Sequence, residues 1–141
     1  MIERANETAF DWPVYDSDNL IGTQWYFLEE SALPVAIQAW VLEPGQSEGG
    51  HTHDVDHPLE EFYLVISGEA EVTLEGEKSI LGAGDAILAK TGVDHDIRNS
   101  GVTPLHLIVV WGKPGTTEWE TFRMGKAAKK ARGTEGPQVW A

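Results

Sequence analysis

The stretch EFYLVISGEAEVTLEGEKSILGAGDAILAK (residues 61–90) contains four short apolar or alternating runs, each separated from the next by Gly, Asp or a charged turn. In the second run Ala70, Val72 and Leu74 alternate with polar residues, a period of two that buries one face of a strand and leaves the other in water. Runs of this length with turn signals between them predict antiparallel strands joined by tight hairpins.

Similar runs lie on both sides of this stretch, at residues 23–30, 34–44, 95–99 and 104–112. Helical periodicity is nearly absent before Phe122. Eight short strands at this spacing predict an all-β fold, either a β-sandwich or a closed antiparallel barrel. Periodicity alone does not choose between the two architectures.

The size and composition of the chain restrict its class. A length of 141 residues, 41% of them hydrophobic, suits one globular core. No apolar run is long enough for a membrane span, and the N-terminus lacks the apolar centre of a secretory signal. The chain has no cysteine, which excludes disulfides and thiol catalysis. A cytoplasmic location is the expectation.

The charge distribution argues against nucleic acid as a partner. The net charge is −13, and residues 1–122 carry 5 basic against 22 acidic residues. Phosphate binding requires clustered Lys and Arg, which this body lacks. Residues 123–141 carry 5 basic residues and 1 acidic residue, so they form a basic C-terminal tail whose composition is compatible with a partly helical structure.

Histidines and acids are concentrated in GGHTHDVDHPLEEFYLVISG (residues 49–68). His51 and His53 are two residues apart, so on an extended segment both rings face the same way. Only one of Glu60 and Glu61 can face the same interior, and His95 is the further candidate ligand. Imidazole with carboxylate suits Fe, Mn, Co, Ni, Zn or Cu better than Ca or Mg.

These residues resemble the two motifs of the cupin family, G-x5-H-x-H-x3,4-E-x6-G and G-x5-P-x-G-x2-H-x3-N. The chain has Gly45, His51, His53, Glu61 and Gly68 in the order of the first motif. The second motif is matched at Gly84, Gly92, His95 and Asn99. Two departures stand out: seven residues (54–60) separate His53 from Glu61, which implies an enlarged loop, and Lys90 replaces the motif proline.

The resemblance implies a small single-domain cupin of the quercetin dioxygenase-like type. Its fold is a double-stranded β-helix, the jelly-roll barrel, here expected over residues 23–122 after an N-terminal arm (1–22) that could contribute to a dimer contact. The resemblance also implies one divalent transition metal held by His51, His53, Glu61 and His95, with Glu61 chosen over Glu60 by its distance from Gly68. Iron is the preferred metal. Four protein ligands leave two positions open for water, substrate or dioxygen.

Four further residues are candidate substrate contacts, each with a structural alternative. His57 lies in the enlarged loop and is either a surface histidine or an acid/base group at the mouth of the pocket. Tyr63 shares the face of Glu61 and either packs in the barrel or contacts substrate. His106 on the run 104–112 is either a sheet-face histidine or a pocket residue. Trp40 is either core or pocket wall, and as pocket wall it favours a planar substrate.

The functional expectation is a metal-dependent enzyme acting on a small organic substrate, most simply a quercetinase-like dioxygenase in which Glu61 binds the metal and takes the substrate proton. The alternatives are an isomerase, cyclase or lyase at the same site, and a non-catalytic cupin that binds a small ligand. Asp54 and Asp56 in the loop argue against an anionic substrate, unless Lys90, Arg98 or the basic tail compensates for their charge. A homodimer is expected from the resemblance.

Overall fold

The computed structural model describes residues 1–15, 18–115 and 123–133. Over these ranges the chain forms nine strands and one helix. They are β1 (Phe10–Trp12), β2 (Ile21–Trp25), β3 (Ala36–Leu42), β4 (Glu60–Ser67), β5 (Ala70–Leu74), β6 (Glu77–Leu81), β7 (Ala86–Ala89), β8 (His95–Asn99), β9 (Leu105–Gly112) and α1 (Arg123–Arg132).

The strands form two antiparallel sheets. The larger sheet has the order β1-β2-β3-β9-β4-β7, and the smaller sheet has the order β6-β5-β8. Because β4 and β5 are consecutive but lie in different sheets, the chain crosses between the layers at Gly68 and Glu69. The prediction of an all-β jelly roll is confirmed.

An extended segment adds to the smaller sheet without forming a regular strand. Residues 45–51 run antiparallel to β8, with isolated bridges at Ser47–Arg98 and His51–His95. Backbone hydrogen bonds tie Gly45 and Gln46 to Asn99, and Glu48 to Ile97. The segment therefore gives the smaller sheet a further edge, and it ends at the first histidine of the motif.

The core lies between the inward faces of the two sheets. On β3 the side chains alternate strictly, with Ala36, Gln38, Trp40 and Leu42 buried and the residues between them partly exposed. Leu105, Leu107 and Val109 of β9 face the same interior and are at most 1% exposed. On β5 the alternation read from the sequence is confirmed for Ala70 and Val72, which are buried, while Leu74 is partly buried.

The N-terminal arm is attached to the barrel through a buried amide. The Nε2 group of Gln24 donates to Glu3 Oε1 and to the Arg4 carbonyl, 2.9 Å in each case, and its Oε1 accepts from the Asn6 amide at 2.7 Å. β1 then pairs with β2 along the edge of the larger sheet. The boundary drawn at residue 22 falls inside β2, so the arm is continuous with the sheet.

The predicted run at 23–30 is a strand only as far as Trp25. Beyond it Phe27 has a φ of 50°, a left-handed conformation that ends the extended backbone. The Phe27 amide donates to Glu3 Oε2 at 2.8 Å, and the Ser31 amide donates to the Phe27 carbonyl at 3.0 Å. A turn stabilised by a residue more than twenty positions away has no signal in the local pattern.

The C-terminal tail contains the short helix α1, with Lys129, Lys130 and Arg132 in its last turn and no buried residue. Basic side chains at this end interact favourably with the helix dipole. No helix in the described ranges is long and apolar enough to cross a membrane.

Two glycines, Gly68 and Gly76, adopt left-handed backbone conformations at the turns on either side of β5. Glu75 and Gly76 both have positive φ, 50° and 82°, and connect β5 to β6 as a two-residue hairpin turn. Gly68, the last glycine of the first motif, has a φ of 92° and passes against the backbone of Pro104 and Leu105. A Cβ at position 68 would lie 2.7 Å from the Pro104 carbonyl oxygen.

We expect Gly68→Ala to destabilise the fold by more than about 2 kcal/mol, because it combines left-handed strain with a backbone clash. Gly76→Ala should cost about 1 kcal/mol, since only the strain applies there. Gly82→Ala, with open space and no positive φ, serves as the control. Urea unfolding of the three metal-free variants measures their relative stability. A Gly68→Ala midpoint equal to that of Gly82→Ala would contradict the expected destabilisation.

Candidate metal centre

Three histidines and one glutamate converge inside one end of the barrel. One donor atom from each of His51, His53, Glu61 and His95 lies within 4.8 Å of the other three. Glu61 is at the centre of the group. Its Oε2 is 2.8 Å from His95 Nε2 and 3.4 Å from His51 Nε2, and its Oε1 is 3.4 Å from His53 Nε2.

Backbone pairing explains how distant parts of the sequence meet here. The amides of His51 and His95 donate to each other's carbonyls, 3.0 Å in both directions. Directly opposed residues in an antiparallel pair project their side chains from the same face. His53 follows two residues later on the same face, and the Gly92 amide donates to its carbonyl at 2.7 Å. Glu61 reaches the group from β4 in the opposite sheet.

The ring orientations are fixed by hydrogen bonds on the far side of two histidines. The Nδ1–H of His51 donates to the Gly49 carbonyl and that of His95 to the Val93 carbonyl, both at 2.9 Å. This arrangement directs the Nε2 atoms to the centre, as expected for histidines that bind a metal.

Two buried nitrogens at the centre are left without partners. Among the described residues, His51 Nε2 and His53 Nε2 are the buried side-chain atoms with no hydrogen bond. Buried polar atoms are otherwise nearly always satisfied. Ligand atoms on one ion with bonds of about 2.1 Å lie up to about 4.2 Å apart, so the cluster needs only a small contraction. The donor set and the orphaned atoms both fit a divalent transition metal.

The electrostatics favour an ionised Glu61. Burial raises the pKa of this carboxyl, but the nearby imidazoles of His51 and His95 and the hydroxyl of Tyr63 outweigh burial and lower its pKa below the ordinary value. Burial lowers the pKa of His95, but its bonds to Glu61 and to the Val93 carbonyl raise the pKa overall. For His53 burial dominates and the pKa is lowered. A neutral imidazole and a carboxylate are the protonation states that bind metals.

A second buried carboxyl lies behind Glu61. Glu48 is fully buried, and both of its oxygens lie near the Tyr63 hydroxyl, at 3.0 and 3.1 Å. The same hydroxyl hydrogen-bonds to Glu61 Oε2. Burial raises the pKa of Glu48 well above its ordinary value, and the charges of Glu61 and Asp96 act in the same direction. Tyr63 has one proton to donate, so a protonated Glu48 satisfies both carboxyls.

A cavity of about 500 Å³ opens beside the cluster. Six inward-facing barrel residues line one side of it: Thr23, Trp25, Gln38, Trp40, Glu61 and Trp111. The N-terminal arm supplies Phe10, Trp12, Val14 and Tyr15. Glu61 is thus both a member of the cluster and part of the cavity wall.

Tyr15 joins the arm to the cluster. Its ring stacks on that of His51 with centroids 3.6 Å apart, and its amide donates to the Glu48 carbonyl at 2.8 Å. Burial, together with the charges of Glu61 and Glu48, raises the pKa of Tyr15 to about 12. The phenol is therefore neutral at physiological pH, and one face of His51 is shielded from solvent.

The structure brings some of the predicted site residues together and leaves others apart. All four predicted ligands converge, Trp40 lines the cavity and Tyr63 contacts Glu61. His57 is exposed in the enlarged loop, where the Asp54 carboxylate accepts its amide at 2.9 Å. His106 is exposed on the outward face of β9. These two histidines do not line the cavity.

Sequence reasoning missed Glu48, Tyr15 and the arm as parts of the site. Glu48 lies in a run of turn residues, GQSEGG (residues 45–50), where a buried acid has no local signal. Tyr15 and Trp12 belong to the N-terminal arm, for which the sequence suggests a dimer contact and not a part of the site. No pattern in the sequence of the arm indicates that it folds back over the barrel.

Comparison with known proteins supports the same reading of the fold. The model of the Cupin domain family matches residues 38–111. A segment of 74 residues, 52% of this chain, is 35% identical to 15% of mannose-1-phosphate guanylyltransferase ManC from Salmonella typhimurium. A segment of 69 residues, 49% of this chain, is 33% identical to 54% of an oxalate-binding protein from Thermotoga maritima. The chain thus corresponds to only part of the length of these curated relatives.

A solved structure described as a predicted oxalate decarboxylase from Thermotoga maritima superposes with a TM-score of 0.71 at 24% identity. The superposition covers 81% of this chain and all of that one. A Cupin 2 conserved barrel domain protein from Salinispora arenicola gives a TM-score of 0.66 at 20% identity, covering 80% and 88% of the two chains. The family match spans more than half of the sequence and contains all four converging residues, His51, His53, Glu61 and His95. The chain belongs to the cupin family.

Proposed function

We propose that this protein is a metal-dependent cupin enzyme acting on a small organic substrate, and that its reaction is a dioxygenation of the quercetinase-like kind. The observation that carries the proposal is the convergence of three imidazoles and one carboxylate on a common centre, with two buried Nε2 atoms unsatisfied, at the wall of a cavity. A purely structural site has no need of an adjoining cavity for a second molecule.

His51, His53, Glu61 and His95 would hold one divalent transition metal, with iron preferred and Mn, Ni, Zn, Co or Cu as alternatives. When bound, the metal supplies Lewis acidity toward a substrate oxygen and, if redox-active, a means of using dioxygen. The chain's own residues position the substrate and move its proton. Glu61 is the catalytic residue of the proposal, because it lines the cavity and presents a carboxylate to an entering hydroxyl group.

Tyr63 and Glu48 support Glu61 from behind. Tyr63 orients the Glu61 carboxylate through its hydroxyl, and it is 2% exposed, so water does not compete for that bond. A proton on Glu48 keeps the second carboxyl neutral. The two residues thereby hold Glu61 ionised and in place, which is the state that a base requires.

A non-catalytic, ligand-binding cupin is the second candidate. The observation that favours it is the similarity to the Thermotoga maritima protein named for oxalate binding, of which this chain covers about half. A binder and an enzyme share the fold and the ligand set, so function is decided by turnover at the site and not by architecture.

Metal content tests the ligand set. We expect His51→Ala and His95→Ala to reduce bound metal at least tenfold from about one ion per chain, because each removes one of four ligands. His106→Ala, which removes an exposed histidine on the outer face of β9, is the matched control and should retain the metal. Elemental analysis of the purified proteins measures this. Full metal content in both ligand variants would refute the site.

Oxygen uptake separates the two candidate functions. The iron-loaded protein should consume oxygen in the presence of a flavonol, diketone or catechol, and Glu61→Gln should reduce that rate at least a hundredfold as expected for loss of a general base. An oxygen electrode with product analysis provides the measurement. Binding of the panel compounds with no oxygen uptake and no product would reject the dioxygenase and favour the binder.

The protonation of Glu48 has a consequence for stability. A group whose pKa is higher in the folded than in the unfolded state stabilises the fold at low pH, and that contribution declines as pH rises above the unfolded value. In the metal-free protein we therefore expect Glu48→Gln to raise the urea midpoint relative to wild type by more at pH 8 than at pH 5. Glu77→Gln on the exposed strand β6 is the control. A pH-independent difference would show that Glu48 is not held neutral.

A further inference from the structure

The cavity beside the four-ligand cluster is walled by aromatic rings from two independent parts of the chain. We infer that it binds a neutral, planar aromatic molecule that carries an oxygen atom able to accept a hydrogen bond. This inference rests on the proposed function, since it names the substrate class of the same site. Three observations carry it: the aromatic walls, an amide donor at the wall, and the lack of Lys and Arg among the described residues that line the cavity.

The aromatic walls come from the barrel and from the arm. Trp25 and Trp111 meet edge to face with centroids 5.1 Å apart, and Trp40 meets Tyr63 in the same way at 6.1 Å. From the other side Trp12 covers the cavity while remaining 56% exposed. Rings in offset or edge-to-face contact attract a further aromatic ring by their quadrupoles as well as by buried area. A flat ligand can contact both walls at once.

A buried amide supplies the polar contact. Gln38 Oε1 accepts from Trp40 Nε1 at 2.9 Å and from Trp111 Nε1 at 3.4 Å. Indole nitrogens only donate, so these two bonds fix the orientation of the amide. Gln38 lines the cavity, and its Nε2 group takes no part in the two bonds to the indoles. An amide donor at the cavity wall favours a ligand with an acceptor oxygen.

The charge of the wall argues against an anionic ligand. Among the described residues that line the cavity there is no Lys or Arg, and the charged group present is the Glu61 carboxylate. A carboxylate or phosphate away from the cluster would lose its hydration without gaining a partner. Oxalate is also far smaller than a cavity of about 500 Å³, a volume typical of sites for larger organic ligands. Specificity here differs from that suggested by the names of the relatives.

Calorimetric titration with 2-naphthol, a neutral planar probe with one hydroxyl oxygen, tests the inference. Decahydro-2-naphthol has the same skeleton and hydroxyl group without aromaticity, and oxalate serves as the anionic competitor. Titrations are made on the metal-free and the zinc-loaded full chain. We expect 2-naphthol to bind both forms, the saturated analogue to bind at least tenfold more weakly, and oxalate to leave naphthol binding to the metal-free form unchanged.

Two variants assign the binding to this cavity. Trp12→Ala removes a wall residue on the exposed arm, and Gln38→Met removes the donor while keeping an unbranched side chain; each should weaken 2-naphthol binding about five- to tenfold. Ile80→Ala on β6, where Ile80 is 57% exposed, is the matched control and should bind like wild type. Trp12→Ala should also retain its metal, since Trp12 is not one of the four candidate ligands.

The outcomes separate this inference from the proposed function. Equal binding of the saturated analogue, displacement by oxalate from the metal-free form, or wild-type affinity in both variants would overturn the inference. Full zinc loading with no binding of 2-naphthol would also overturn it while leaving the metal site intact. Naphthol binding that follows the expected order in a protein unable to load metal would uphold the cavity assignment and reject the proposed function.

Discussion

The reciprocal hydrogen bonds between the backbones of His51 and His95 are the constraint on which the site depends. They join an irregular segment to the first residue of β8. Without them the backbone at His51 would be held only by the bonds on either side, from Glu48 to Ile97 and from Gly92 to His53. With these bonds, the imidazoles of His51 and His53 lie next to that of His95. The geometry of an antiparallel pair then sets the distances between the three rings.

Other parts of the site could be predicted from the sequence. The His-x-His spacing, the strand alternation around Glu61 and the position of His95 after a turn are local patterns, and local patterns report side-chain direction well. The assignment of Glu61 over Glu60 follows from the same alternation once the register is known: Glu61 is buried and Glu60 is only partly so. The motif glycine at position 68 could be predicted in the same way. Its backbone passes so close to Pro104 that there is no room for a side chain.

The contacts that could not be predicted are those made between segments with no pattern linking them. Glu48 becomes a buried partner of Tyr63 only because residues 45–51 lie along β8. Tyr15 meets His51 only because the arm folds back, and the arm is attached by the Gln24 amide and by the pairing of β1 with β2. Neither contact has a periodicity, a motif or a charge pattern that would reveal it. Tertiary hydrogen bonding, and not local propensity, decides both.

The N-terminal arm and the family region of the chain contribute different residues to the site. The ligand set His51, His53, Glu61 and His95 lies inside the region shared with the family, residues 38–111, whereas Phe10, Trp12, Val14 and Tyr15 lie outside it. One part of the chain therefore holds the four converging side chains, and the arm supplies one wall of the cavity. Substitutions at Phe10, Trp12 or Val14 can alter what fits without changing any of the four residues or Tyr15, which stacks on His51. In a fold used for many reactions, such a division allows selectivity to diverge while the reactive centre stays the same.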